Sequence, residues 1–98
     1  MHDYYNPIPE LIDPNTNEVL EDWQGKDGPC ALFIWEQNKI NPIDQFGDED
    51  IKLSKDELNN FYLPKKFIIY TTNSKGDFLF ANCECKNKIW KKTKLIKL

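Results

Sequence analysis

Cys83-Glu84-Cys85, together with Cys30 and His2, supplies the donor types of a Cys₃His zinc site or a thiol redox centre. The spacing argues against both. A zinc knuckle presents its thiols as Cys-x-x-Cys, whereas a one-residue gap on an extended chain turns both thiols to one face. Leu79 and Ala81 share that parity, so Cys83 and Cys85 read as small apolar residues directed at a core, buried, reduced and metal-free. No metal and no cofactor is expected. Nucleophilic chemistry lacks a base as well, because the one histidine, His2, sits beside a chain terminus. Four scattered glycines build no phosphate loop. The chain is therefore expected to be non-enzymatic, with no catalytic residue.

The carboxylates are the next candidates. Asp44, Asp48, Glu49, Asp50, Asp56 and Glu57 could gather around a cation, but counting from Asp44 the twelfth position of a calcium loop is Lys55 instead of glutamate. Charge along the chain gives them another use. Residues 1–63 carry four Lys against fourteen Asp and Glu, whereas residues 64–98 carry nine Lys against two. A net charge of −3 thus conceals an acidic N-terminal part and a basic C-terminal one. Such a dipole governs partners and association rates, not fold. The leading expectation is a protein-binding module, an inhibitor or immunity-type accessory protein. Its acidic surface, joined by Asp13, Glu18, Glu21 and Asp22, would engage a protein partner with a basic surface by imitating nucleic-acid phosphates.

The alternative is nucleic-acid binding by the C-terminal segment. Phe78 and Phe80 fall on the face opposite Cys83 and Cys85, and something must cover them: a second packing layer or stacked bases. Lys75, Lys86, Trp90, Lys91, Lys92 and Lys94 complete that candidate ribbon. All thirteen cations are lysines, which act as point charges without the bidentate fork of arginine.

The elements that must position these residues follow from pattern and punctuation. Pro7, Pro9, Pro14, Gly25, Gly28 and Pro29 keep the first part of the chain irregular, with one short hairpin in which Leu11-Ile12 and Val19-Leu20 flank the turn 13–17. Cys30 to Trp35 and Phe67 to Thr72 are apolar at both parities, as interior strands covered on two faces would be. Asn41-Pro42 to Gly47 suggests one helical turn. Ser54 with Glu57 forms a capping box, predicting a short helix around residues 54–62 that ends at Pro64. Strands at 67–72, 78–86 and from Ile89 onward, joined by turns at Asn73–Asp77 and Asn87-Lys88, give a C-terminal β-meander. The expected fold class is α+β, a single small domain over 1–98 with a mainly antiparallel sheet. No apolar run is long enough to span a bilayer, and an odd number of cysteines suits a reducing compartment, so a cytoplasmic location without membrane contact is expected.

Overall fold

A computed structural model of the chain describes residues 3–27, 33–39, 43–44 and 63–96. Its strands are β1 (Asp3–Asn6), β2 (Trp23–Gly25), β3 (Phe33–Glu36), β4 (Ile43–Asp44), β5 (Lys66–Thr72), β6 (Phe78–Lys86) and β7 (Ile89–Leu95). They form one sheet in the order β4-β3-β1-β2-β5-β6-β7. β1 and β3 run parallel, and every other pair is antiparallel. The sheet curls into a half-barrel. This corrects the expected α+β class: the described residues are all strand, turn and loop, with no helix among them. The helix expected at 54–62 lies outside the described residues; of the helical turn expected over Asn41 to Gly47, Ile43–Asp44 are instead strand β4, drawn into extended pairing by β3, and the rest lies outside them.

The meander has a local cause for each step. β5 alternates, with Phe67, Ile69 and Thr71 turned inward and Lys66, Ile68 and Thr72 outward. Ile68 is 45% exposed, so this strand is not covered on both faces, although it has a hydrogen-bonded neighbour on each side. Gly76, at φ +82°, makes the turn to β6, and Asn73 Oδ1 gathers the Lys75 and Asp77 N–H groups. Asn87 and Lys88, both at positive φ, form the two-residue hairpin into β7.

The concave face holds the core: Tyr5, Leu20, Trp23, Trp35, Leu63, Phe67, Ile69, Ala81, Cys83 and Trp90. Tyr5 packs so closely on β2 that a Cβ at Gly25 would stand 2.8 Å from its ring, which reserves that position for glycine. Gln37, just past β3, closes the curl. Its Nε2 donates to the Lys91 carbonyl at 2.8 Å, and its Oε1 accepts from Thr93 Oγ1 at 2.7 Å and Ile8 N at 3.1 Å. The Asn38 N–H donates to the Trp90 carbonyl at 2.8 Å alongside. One buried amide thereby ties the β3 end of the sheet to β7.

The Pro-rich N-terminal part is more regular than its composition suggests. β1 lies in the middle of the sheet, and Asp3, fully buried, accepts hydrogen bonds from Trp35 Nε1 at 2.9 Å and Phe33 N at 3.1 Å. The expected hairpin exists as a single bridge, Ile12 to Val19. Its tip docks on the β5–β6 turn: Asn73 Nδ2 donates to Asp13 Oδ2 at 2.9 Å, and the Ser74 N–H donates to Glu18 Oε1 at 3.0 Å.

Candidate functional site

The convex face of β5, β6 and β7 is built by parity. On β6, Phe78, Phe80, Asn82, Glu84 and Lys86 point outward while Ala81 and Cys83 point in. Cross-strand register then stacks rows along the face. Thr72 pairs with Phe78, and Tyr70 with Phe80; Ile68 pairs with Asn82 and Asn82 with Lys94; Lys66 pairs with Glu84 and Glu84 with Lys92. The result is aromatic at one end and cationic at the other. Phe78 is 62% exposed and Phe80 36%. Their centroids are 6.4 Å apart with planes 25° from parallel, and Tyr70 stands 6.5 Å from Phe78. Among the described residues, none of Lys66, Lys92 and Lys94 is held in an ion pair. The three line a common cleft over Ile68 and Asn82, together with the carboxylates of Asp27 and Glu84.

A bulge in β7 sorts its residues. Glu84 pairs with Lys92 but Cys85 pairs with Trp90, so Lys91 is an extra residue without an opposite number. The parity flips at that point. Trp90 enters the core, fully buried, while Lys92 and Lys94, at the same sequence parity, face outward. Trp90 therefore does not belong to the exposed ribbon in which the sequence pattern put it. Its indole N–H donates to the Lys92 carbonyl at 3.0 Å, and its ring packs on Tyr5 and Phe67. Lys75 and Lys86 are exposed at the two ends of the face, in the β5–β6 turn and at the end of β6. Lys91 is exposed at the bulge. Tyr70, which the sequence reading did not single out for the ribbon, joins the aromatic end. Its pairing with Phe80 was implicit in the two alternating strands and became readable once the β5–β6 turn fixed the register.

Of the acidic candidates, Asp44 is placed by its backbone in β4 opposite Phe33. Asp48, Glu49, Asp50, Asp56 and Glu57 lie outside the described residues. The acidic residues nearer the N-terminus divide by role. Asp13 and Glu18 are engaged in the turn lock. Asn73's amide, then the Asn15 N–H, hold the Asp13 carboxyl below its ordinary value; the Ser74 N–H, then the Thr16 hydroxyl, do the same for Glu18. Glu10, Glu21 and Asp22 are exposed and line a groove with Glu36, which pairs with Lys39 at 3.0 Å; Glu21 and Asp22 also border, with Glu18, the cavity beside Tyr70 and Phe78.

Cys83 is buried and Cys85 half-buried, so only the first matches the expected burial. Both are free thiols, and burial pushes Cys83 up to about 12 and Cys85 to about 11. Cys30 and His2 lie outside the described residues, among which no group of three metal-ligating side chains occurs. Among them, too, no helix is long and apolar enough to cross a membrane. No family model, no curated protein and no solved structure matches the chain.

Proposed function

We propose that this protein is a non-enzymatic nucleic-acid-binding module whose ligand lies on the convex face of β5, β6 and β7. One observation carries the reading: Phe78 and Phe80 stand exposed beside Tyr70, on the same face as Lys66, Lys92 and Lys94, which hold no ion pair among the described residues. Single exposed aromatics need no explanation, but an aromatic cluster continuous with such cations matches the two needs of a nucleic acid, a π surface for bases and positive charge for phosphates. The absence of arginine makes recognition of base edges by bidentate contacts a minor part of it. The test is fluorescence anisotropy with a labelled mixed-sequence oligonucleotide. Wild type should bind, and Phe78→Ala with Phe80→Ala should weaken binding without unfolding the protein. No binding at low salt would overturn the reading.

A second reading has its own observation. Glu10, Glu21, Asp22 and Glu36 line one groove, supporting the acidic-surface hypothesis of a basic protein partner. Glu21→Lys with Asp22→Lys should then slow association with that partner, and salt should weaken the wild-type complex. Asp48, Glu49 and Asp50 belong to the same hypothesis and are tested by the same reversal.

A further inference from the structure

We infer that the ligand of the convex face is an extended single strand of about four nucleotides, its bases on the aromatic end and its phosphates in the Lys66, Lys92 and Lys94 cleft. The inference rests on the nucleic-acid reading above and adds the ligand's form, length and placement.

The form follows from spacing. Phe78 and Phe80 present ring centroids 6.4 Å apart. Bases stacked on one another in a duplex repeat every ~3.4 Å, so two such neighbours cannot follow these rings. A strand must be unstacked and drawn out to satisfy both. A duplex offers no free base face to them either.

The length follows from register. Same-face positions on a strand lie roughly 6.8 Å apart, so the rows from Phe78 through Phe80 and Asn82 to Glu84 cover about 20 Å. At the 6.4 Å step set by the rings, that is four positions. Lys94 belongs to the third row, opposite Asn82, and Lys92 and Lys66 flank Glu84 in the fourth. A backbone leaving the aromatic end therefore meets one cation and then two.

Two carboxylates line the cleft: Asp27, whose Oδ2 accepts from the Ile68 N–H at 3.1 Å, and the discordant one on β6, Glu84. Glu84 stands between Lys66 and Lys92 and opposes any phosphate that reaches them. Removing its charge should tighten binding, an effect opposite in sign to what loss of a merely structural contact would give.

The experiment is a titration of the full chain with labelled homopolymer oligonucleotides of two to twelve residues, single-stranded and duplex, at several salt concentrations. Affinity should rise with length to about four nucleotides and then level except for statistical gain, and duplex should bind at least tenfold more weakly. Lys66→Gln, Lys92→Gln and Lys94→Gln together should flatten the slope of log affinity against log salt by about 2, or roughly 20-fold between 50 and 200 mM salt. Glu84→Gln should raise affinity severalfold. Thermal melting confirms that each surface variant is folded. If wild type binds no oligonucleotide, the nucleic-acid reading itself fails. If it binds but prefers duplex, or the triple lysine variant keeps the wild-type salt slope, the reading stands and this placement is overturned.

Discussion

Two aromatic clusters occupy opposite faces of one sheet. On the concave face Tyr5, Phe67 and Trp90 are buried, with centroids 5.5 to 5.9 Å apart and tilted or edge-on rings. On the convex face Tyr70, Phe78 and Phe80 are partly or largely exposed, at 6.4 to 6.5 Å. Both contain a residue of β5, Phe67 in one and Tyr70 in the other, so composition does not separate them. Parity does. The inner set gains burial and edge-to-face contacts worth about 0.5–1.5 kcal/mol per pair beyond area. The outer set leaves its apolar surface in water, a cost that folding does not recover, beside cations that a ligand can use.

The sharpest division between the clusters is stability. Trp90→Ala should cost about 3–5 kcal/mol, since it empties a fully buried indole site, and urea denaturation should show the midpoint falling steeply or the fold lost. Phe78→Ala should leave stability within about 0.5 kcal/mol. Its effect belongs to binding, where each base that loses its ring should cost about 1–3 kcal/mol, read by oligonucleotide anisotropy. A Phe78 variant as unstable as the Trp90 variant would make the outer cluster structural and erase the distinction.

The next effect concerns what keeps the inner cluster enclosed. Gln37 satisfies three partners at once across the gap between β3 and β7. Gln37→Ala should cost about 1–3 kcal/mol, because the Lys91 carbonyl and the Ile8 N–H lose their partner in a part-buried site. The same change should leave affinity on the convex face intact once the protein is folded. Equilibrium unfolding paired with anisotropy separates the two quantities.

The sequence made the outer face legible and the sheet as a whole much less so. Alternation over residues 67–72 and 78–86, with Gly76 and Asn87-Lys88 between strands, carries the meander, because hairpin register is a local property of the turn. Trp90 escaped it. A single bulged residue, Lys91, reverses parity, and nothing in Ile89-Trp90-Lys91-Lys92 announces a bulge. β1 escaped it for another reason. Four residues beside a terminus show no periodicity, and their central place comes from pairing with β3 some thirty residues away and from Asp3 bonding Trp35. Short strands fixed by such long-range pairing are where pattern reading has least purchase.

The smallest effect tests how the outer cluster is presented. Phe78 follows the Asn73–Asp77 turn, which Asp13 and Glu18 hold against the N-terminal hairpin. Both carboxyls are kept below their ordinary values of 3.8 and 4.5 by hydrogen bonds to the charged form. The folded state thus binds these protons less tightly than the unfolded one. The lock's contribution is complete above the ordinary values, declines as pH falls through them, and is gone below the lowered folded values. Urea midpoints measured from about pH 6 down to about pH 3 should fall for wild type. Asp13→Asn with Glu18→Gln should begin lower at the upper end and decline less. Hydrogen exchange gives the location: acid should open the amides from Asn73 to Phe78 before those around Phe67 and Trp90, since Asp13 and Glu18 bond directly to Asn73 and Ser74 of that turn. An acid slope unchanged in the double variant would mean that other carboxylates set the pH dependence. The turn would then owe its position to the Asn73 and Gly76 backbone geometry alone.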